Sequence, residues 1–510
     1  MNDNIQTPQY AISECVFAWI CVLVGYLFCR AFPAEEYPMG TFFVFVIAVS
    51  AATAVLVKKN CKFSISSIIS AVASVVFSAA PVFTAGHTVA FWSISAAIVA
   101  YCFFIYSATD NRTENGFSNF IIVDFFNAAV LYPFASFGKL FPALLSGGHR
   151  GFRFAVKLFI GIGIGAVPTA IVASLLAYDD GFSRIMYSFL ERLFDLNLFS
   201  HIGSLVLGTF IAVLLFGLYY SSVTHEDCGA KAEYCRKFLV TIRIAPCLMV
   251  GAAVFPLVAV YTVFFISQID YYLSAFSGIL PETLSYATYA REGFFQLCQV
   301  SGINLFLLSV ISLISRRDSK ASNAFLKILK ILLSVITLVL IATAMSKMVL
   351  YIRTYGLTEK RVLSSWFMVV IAAVFLIVII KQFVPKLKTV AASVCVAALM
   401  FAVLAFSDYS AVIANYNVDK YIDGELKTVD IGALSLQGES AIPAMVRLAR
   451  HYESQLKDPE LSHEEFMKIR SDAQQLSLYI QVGEKQGADK FFGFSIPYIN
   501  ALNEVKEYKN

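Results

Sequence analysis

Residues 289–314, YAREGFFQLCQVSGINLFLLSVISLI, decide what kind of molecule this chain forms. No side chain from Phe294 to Ile314 is charged. A helix of about 20 apolar residues is long enough to cross the ~30 Å hydrocarbon core of a bilayer. The oppositely charged neighbours Arg291 and Glu292 stand where this helix enters the membrane. Charged side chains are costly there, so the pair marks a working or organising position.

The composition of the whole chain agrees with this stretch. Of the 510 residues, 58% are hydrophobic and only 15% are charged, whereas soluble domains carry about 25% charged residues. The apolar residues occur in blocks that predict eleven spans. The predicted spans are 11–31, 41–57, 66–83, 89–106, 156–177, 202–220, 244–267, 294–314, 328–351, 365–381 and 389–406. The fold class is therefore all-α: a polytopic helical membrane protein of about eleven transmembrane helices, followed by a small C-terminal extracytoplasmic helical domain.

Basic residues in the predicted loops indicate the orientation. Lysine and arginine concentrate in cytoplasmic loops, and five basic clusters fall on one side if the spans alternate. These clusters are Lys58, Lys59 and Lys62; Arg150, Arg153 and Lys157; Lys231, Arg236, Lys237 and Arg243; Arg316, Arg317 and Lys320; and Lys381, Lys386 and Lys388. We therefore expect a cytoplasmic N-terminus and an extracytoplasmic tail. The loop with Arg353, Lys360 and Arg361 breaks the pattern, because its charges fall on the outer side.

Residues 117–145 allow two counts of the membrane crossings. The segment is long and rich in phenylalanine, but Asp124, Asn127, Lys139 and two prolines interrupt it. Such interruptions suit a helix in the membrane interface better than a transmembrane span. If the segment does cross, the orientation of everything before it reverses. The sequence leaves this alternative open.

The composition of the tail differs from that of the preceding membrane segments. Residues 408–510 contain 11 Lys/Arg and 16 Asp/Glu, a net charge of −5, which leaves about +9 on the membrane body because the whole chain is +4. We predict helices over 443–456, from Ser462 onward and over 491–508. Glu465 completes a capping box with Ser462. The predicted organisation is an N-terminal transmembrane bundle (1–240), a C-terminal transmembrane bundle (241–407) and the extracytoplasmic helical tail (408–510).

Two polar features invite a functional interpretation. Arg291 and Glu292 either belong to a polar cluster that grips a ligand or form structural ion pairs where helices meet the outer surface. Arg353 and Arg361 flank a short hinge in which Gly356 allows a tight turn. An arginine pair there can bind a phosphate-bearing lipid. The alternative is a capped helical hairpin whose basic side chains snorkel to the headgroups.

The chain contains no motif of a known catalytic or metal-binding kind. The six histidines show no paired-ligand spacing, and Cys228 and Cys235 lack the spacing of a zinc site. There is no phosphate-binding loop and no nucleophile elbow. We therefore expect no metal, no cofactor and no nucleic-acid partner, and we assign no catalytic residue.

Several motifs resemble those of one family. Residues 289–295 (YAREGFF), 355–361 (YGLTEKR), 413–421 (IANYNVDKY) and 430–444 occur in the order found in a bacterial integral-membrane family known only as a domain of unknown function, number four-one-seven-three. The resemblance runs from about Leu248 to Asn510, and the amino-terminal half matches only in hydropathy. It implies a bacterial cytoplasmic membrane location and supplies no reaction or substrate. The candidate binding residues are Tyr289, Arg291, Glu292, Arg353, Tyr355, Arg361, Asn415, Asn417 and Asp430.

The resulting functional hypothesis is a non-enzymatic transport component or envelope sensor/accessory with a polar site on its outer face. Its expected partners are the lipid bilayer and either anionic lipid or another membrane protein. Two alternatives stay open: a lipid-linked transferase acting at the outer membrane face, and a pure scaffold for another membrane protein. A lateral cavity lined by Arg291, Arg353 and Asp430 favours the transferase, whereas a cavity at the membrane midplane favours transport.

Overall fold

A computed structural model describes residues 10–32, 36–146, 198–225, 232–267, 286–316, 319–459, 461–486 and 494–509, with scattered positions between 161 and 182. The side chains of 198–199, 232, 267, 286–293, 481–486 and 509 are not described. Within these residues the protein is all-helical, as predicted, and its one non-helical pairing is an isolated bridge between Ala245 and Ser315.

Nine α-helices are described over continuous ranges in the amino-terminal part of the chain. They are α1 (Ile12–Ala31), α2 (Pro38–Lys58), α3 (Ile65–Ala79), α4 (His87–Ala108), α5 (Ile121–Phe126), α6 (Tyr132–Ala135), α7 (Leu140–Ser146), α8 (Leu198–Thr224) and α9 (Ala232–Thr241).

The remaining helices form the rest of the membrane body and the tail. Those of the body are α10 (Cys247–Ser267), α11 (Tyr286–Ile314), α12 (Lys320–Tyr355), α13 (Glu359–Phe383) and α14 (Thr389–Phe406). Those of the tail are α15 (Tyr409–Ile422), α16 (Ile431–Ser435), α17 (Ile442–Gln455), α18 (His463–Gln486) and α19 (Ile496–Lys509).

Ten helices of the described chain are long and apolar enough to cross a membrane. They correspond to ten of the eleven predicted spans, and the remaining one, 156–177, is described only at scattered positions. α12 runs from Lys320 to Tyr355 and so extends the predicted span, 328–351, at both ends. Lys330 and Lys347, which lie within that span, are packed inside and are each only 8% exposed. The prediction of a polytopic helical membrane protein is confirmed.

α1 and α8 form the tightest helix pair of the amino-terminal part. A Cβ on Gly25 or on Gly208 would overlap the backbone of the other helix. Small residues at such a crossing allow two backbones to approach and gain van der Waals contact. The helices run antiparallel. At one end the Tyr26 hydroxyl is hydrogen-bonded to His201 Nδ1 (2.7 Å), and towards the other end the ring centres of Phe17 and Tyr219 are 4.8 Å apart.

Contacts between helix ends define two faces of the membrane body. On the first, which we call the basic face, Lys59 lies 2.7 Å from Glu14 and Arg236 lies 2.5 Å from Glu114. These pairs bring the start of α1 to the end of α2, and α9 to the loop after α4. The opposite side, where α15 meets the start of α13, is called the tail face.

Residues 121–146 enter the body from the basic face and return to it. At the start, Asn119 Oδ1 accepts the Val390 N–H (3.2 Å), and at the end Ser146 Oγ lies 3.1 Å from Cys15 Sγ in the first turn of α1. The arm of α5 and α6 is bent by 56° from α7. Near the bend the Phe137 ring packs on Phe210, in the middle of α8 (5.9 Å). The segment is therefore a re-entrant hairpin that adds no crossing, an arrangement that the sequence did not predict.

The carboxy-terminal helices of the body share a buried polar contact. Tyr261 of α10 donates to Asn304 of α11 (2.6 Å), and Asn304 donates to Thr337 of α12 (2.9 Å). All three lie inside a core of leucine, phenylalanine and methionine side chains. Polar contacts between membrane helices are worth about 0.6–2 kcal/mol each and fix the register of the helices.

The tail has a hydrophobic core of its own. α17 lies at its centre, with Met445, Leu448 and Tyr452 buried at helical spacing. α18 begins with the predicted capping box, in which Ser462 and Glu465 exchange hydrogen bonds (2.6–3.3 Å). This predicted helix start is confirmed.

Candidate functional site

The hinge between α12 and α13 is closed by Arg361. Gly356 follows the last residue of α12 with a φ of 77°, which favours glycine. The Arg361 guanidinium donates to the carbonyl oxygens of Tyr355 (3.0 Å) and Gly356 (2.5 Å) and lies 4.0 Å from the centre of the Tyr351 ring. A cation at this position stabilises the unpaired carbonyls and the negative end of the helix dipole. Arg361 therefore caps α12.

Asn417 of α15 holds the same hinge from the tail. Its Oδ1 accepts the N–H of Leu357 (2.6 Å), and its Nδ2 donates to the carbonyl of the same residue (2.9 Å). A Cβ on Gly356 would overlap Asn417 Oδ1. The position therefore needs glycine for space as well as for its φ, and one side chain ties α15 to the membrane body.

Arg447 joins α17 to α15. Its Nη2 lies 2.9 Å from Asn415 Oδ1 and 2.9 Å from Asp419 Oδ1. Asn415 and Asp419 are four residues apart and therefore share one side of α15. Both charged side chains are partly exposed, so solvent screens the pair, and its main effect is to set how α17 lies on α15.

Aspartates begin two helices of the tail. Asp430 Oδ1 accepts the Ala433 N–H (2.9 Å) and caps α16. Asp408 caps α15 through the Ala411 N–H (3.4 Å) and accepts the Ser440 hydroxyl (2.8 Å). Burial raises the pKa of Asp408 above its usual range, and the hydrogen bond from Ser440 acts in the opposite direction. Such caps are worth about 1 kcal/mol.

Tyr409 fixes the first turn of α15 between two parts of the body. Its buried hydroxyl donates to Glu359 Oε1 (3.0 Å) at the start of α13. Its ring fills the space beside Gly86, where a Cβ would overlap it, at the start of α4. Burial and the neighbouring Glu359 carboxylate raise the pKa of the phenol. We call the contacts of Arg361, Asn417, Arg447, Asp408 and Tyr409 the tail clasp.

The predicted binding residues thus occupy separate places. Arg361 and Asn417 meet at the hinge. Asn415 faces Arg447, Asp430 caps α16, and Arg353 and Tyr355 are exposed at the end of α12. Tyr289, Arg291 and Glu292 lie in α11, but their side chains fall outside the described residues. Ligand binding by this set stays a prediction, because the described contacts of its members are internal.

A second polar group lies on the basic face, in the loop after α4. The Arg112 side chain is only 7% exposed and donates to Ser66 Oγ (2.8 Å) and Asp110 Oδ1 (2.9 Å). Its Nε has no hydrogen-bond partner within the described chain. A depression beside it is lined by Asp110, Arg112, Thr113, Glu114, Asn115 and Arg236.

The first arm of the re-entrant hairpin continues this polar group into the membrane body. Asp124 is buried, and its Oδ1 accepts the N–H (2.9 Å) and the hydroxyl (2.5 Å) of Thr113. Asn127, buried one turn further on, donates to the Tyr106 hydroxyl (3.3 Å). Polar side chains at such depth are costly and usually mark a functional pathway. We call Arg112, Asp124, Asn127 and Tyr106 the polar arm.

The hairpin backbone is irregular directly after the polar arm. Residues 127–131 form a π-helical turn, a feature frequent at functional sites. α8 supports the backbone that follows: the Ser221 hydroxyl donates to the Tyr132 carbonyl (2.9 Å), and Gly217 leaves space for the Pro133 carbonyl. Irregular backbone at membrane depth is tolerated where protein surrounds it in this way.

An apolar cavity of about 240 Å³ lies against the far end of this arm. Its walls come from α1, α2, α4, α8 and the hairpin, which contributes Ala129, Pro133 and Phe134. The wall of α4 includes Tyr101 and Cys102, about one turn from Tyr106. The cavity therefore lies in the middle of the membrane body, and the polar arm leads from the basic face towards it.

The chemistry available here is hydrogen bonding and apolar burial. In the part of the chain that the structure describes, no three His, Cys, Asp or Glu side chains are grouped closely enough to hold a metal ion. The described cysteines are free thiols. The polar arm provides hydrogen-bond donors and acceptors between the basic face and the cavity. The cavity itself provides an apolar surface.

Comparison with protein families assigns the chain to a class. It belongs to the family described as "Domain of unknown function (DUF4153)", which matches residues 71–448. Comparison with curated proteins gave no match, and comparison with solved structures gave none. Membership of an uncharacterised family is thereby confirmed, and the matching family carries the number 4153 where the motifs suggest four-one-seven-three.

The matched range corrects the extent of the resemblance. The motifs indicate a likeness only from about Leu248 onward, but the match begins at residue 71 and ends at 448. It therefore includes α4, the re-entrant hairpin and the tail clasp, and it ends before α18 and α19. The hairpin carries no motif that could have been recognised; its one sequence signal is the pair Asp124 and Asn127 within an otherwise apolar segment.

Proposed function

We propose that this integral membrane protein is a non-enzymatic component of a transport system and that the re-entrant hairpin is its transport element. The observation that carries the proposal is the polar arm, which leads from the basic face to an apolar cavity at mid-depth. A channel or carrier needs such a path, and buried polar side chains within a membrane segment usually mark one.

General features of transporters support this assignment. Transport sites lie near the bilayer midplane and are formed by helices that break within the membrane. The hairpin breaks in this way, with the π-helical turn at 127–131 and the bend after α6. Its tip beside Phe210 lies at the depth where a site is expected.

We place the protein in the cytoplasmic membrane of a bacterium, with the basic face in the cytoplasm and the tail outside. The positive-inside rule supports this orientation, because Arg112, Arg236 and Lys388 lie on the basic face. Transport would then proceed between the cytoplasm and the membrane interior or the outer side. We retain the division into 1–240, 241–407 and 408–510, since hydrophobic clusters centre on each part.

Cysteine accessibility tests whether the polar arm is a path open to water. The ten native cysteines are replaced by alanine or serine, and a single cysteine is introduced as Asn127→Cys. Phe126→Cys is the matched control, because Phe126 directly precedes Asn127 on the same arm but its side chain is 55% exposed on the outside of the helical body. A charged, membrane-impermeant thiol reagent is applied to inverted vesicles, in which the proposed cytoplasmic face is outside.

We expect the reagent to label Asn127→Cys and to leave Phe126→Cys unlabelled, because a charged reagent reaches only residues in contact with water. Equal protection of both cysteines would remove the polar arm as a path and with it the transport proposal. Labelling from the tail face alone would reverse the proposed orientation.

A second candidate is an accessory scaffold or sensor, and the tail clasp favours it. The clasp holds a separate helical core against the body at fixed points, the arrangement needed to present a docking surface to another membrane protein. A variant in which the clasp is broken separates the two candidates. It would abolish capture of a partner by a scaffold and leave the accessibility of Asn127→Cys unchanged.

The lipid-linked transferase receives less support. Its discriminating feature was a lateral cavity lined by Arg291, Arg353 and Asp430. The cavity described above has other walls, and Asp430 is occupied as a helix cap.

A further inference from the structure

We propose that the apolar cavity binds one acyl chain of a membrane lipid, which enters sideways from the bilayer. This inference deepens the proposed function, because it names a lipid-like amphiphile as the class of molecule that the hairpin handles. It rests on the walls and the opening of the cavity, and it can be tested without any transport measurement.

The walls select for hydrocarbon. The cavity is lined by hydrocarbon side chains such as Val24, Phe45 and Leu218. Only Tyr101 and Cys102 among the lining residues carry a hydroxyl or a thiol. Water needs two to four polar partners to occupy a cavity, and apolar cavities of such size stay dry or bind apolar molecules. An aqueous solute therefore has nothing to bind there, whereas each methylene of a chain gains about 0.8 kcal/mol on burial.

The opening determines where the occupant comes from. Most of the wall is buried, but Ile98 is 41% exposed and Phe134 is 55% exposed. Ile98 lies in the middle of α4, and Phe134 lies near the tip of the hairpin, so the opening faces the hydrocarbon core. The only molecules present at that depth in a bilayer are lipid chains.

The polar arm suits the other end of such a molecule. Arg112 and Arg236 lie on the basic face, about one to two helical turns beyond the cavity along α4. A lipid whose chain occupies the cavity would place its polar part towards Asn127 and the basic face. The hairpin forms one wall of the cavity and carries the polar arm, so a shift of the hairpin would act on both ends of the lipid.

Photocrosslinking tests this proposal. The purified full-length protein is reconstituted with a phospholipid that carries a diazirine in the distal half of one chain, irradiated and mapped by mass spectrometry. We expect crosslinks on the inner walls, at Tyr101, Leu214 and Leu218, in addition to those on the outer surface that faces annular lipid. Crosslinks confined to exposed residues such as Val403 would overturn the proposal.

A filled cavity provides the matched variant. Ala48→Phe places a ring where Ala48 lines the cavity, and Ala259→Phe places the same ring at mid-depth on the exposed side of α10. We expect Ala48→Phe to reduce the inner-wall crosslinks about tenfold, the effect of roughly two lost methylenes, and Ala259→Phe to leave them unchanged. Inner-wall labelling that persists in folded Ala48→Phe would also overturn the proposal.

The wild-type map keeps the test decisive if Ala48→Phe fails to fold. Crosslinking and cysteine accessibility are independent. Inner-wall crosslinks together with a protected Asn127→Cys would leave the acyl site standing and remove the transport proposal. A labelled Asn127→Cys without inner-wall crosslinks would remove the acyl-chain site and leave the transport proposal standing.

Discussion

Replacement of Asn417 by alanine should loosen the tail from the membrane body. The side chain makes two hydrogen bonds to the backbone of Leu357, at 2.6 and 2.9 Å. Each such bond contributes about 1 kcal/mol net, and Leu357 would keep two partly buried groups without partners. The docked state should therefore lose about 2 kcal/mol, a roughly 30-fold increase in the population of the open state.

Hydrogen exchange measures this opening directly. The Leu357 amide donates to Asn417 in the docked state, so its exchange reports the free energy of local opening. In nanodisc-reconstituted protein we expect exchange over the hinge and α15 to accelerate about 30-fold, while α1 and α8 stay unchanged. Asn417→Asp should also open the hinge, because a carboxylate still accepts the Leu357 N–H but cannot donate to the Leu357 carbonyl.

A control variant and a threshold in the exchange rate make this prediction refutable. Asn503→Ala changes the same residue type on the exposed side of α19 and should have no effect on the hinge. An acceleration below about twofold in Asn417→Ala is less than one weak hydrogen bond, about 0.5 kcal/mol, would produce. That result would show that the tail is not held at this point.

Three further predictions concern other contacts. Burial raises the pKa of Asp408 in the folded chain. Its contribution to stability is therefore present in acid and is lost as the pH rises through that raised pKa. Asp408→Asn keeps the helix cap and should flatten the dependence of the melting temperature of the tail on pH. Gly356→Ala should destabilise the docked tail by about 1–2 kcal/mol or more, because its φ is 77° and the new Cβ meets Asn417; exchange over the hinge measures it. Gly208→Val should separate α8 from α1 at Gly25 and lower the melting temperature in detergent, whereas Gly203→Val, at an open position of α8, should not.

Hydropathy predicted the membrane helices well, because a span must be long and apolar whatever packs beside it. It was less exact at the helix ends. The predicted ninth span, 328–351, is shorter than α12, which runs from Lys320 to Tyr355, because Lys320, Lys327 and Arg353 lower the hydropathy of the two ends. Local rules also succeeded at Ser462 and Glu465, since a capping box needs only neighbours in sequence.

The polar residues show where sequence reasoning ends. Arg361 and Asn417 were predicted to belong to one site, and the structure places both at the hinge, but their donors and acceptors go to backbone groups. The partners lie up to 60 residues away, and no local pattern indicates that a side chain will be used internally. Arg112 gave no signal at all, because a charged residue in a predicted loop is ordinarily solvated.

The sequence by itself determined that this protein is a bundle of membrane helices with an acidic helical tail, because the bilayer requires long apolar segments and local caps mark where helices begin. The sequence also predicted the span after Glu292, and it separated that span from the interrupted segment 117–145. Only the tertiary structure decided the course of this second segment, which turns back at mid-depth and ends with Ser146 beside Cys15, on the face where it entered. The side of the membrane on which a segment ends depends on contacts between distant residues, and hydropathy does not contain that information.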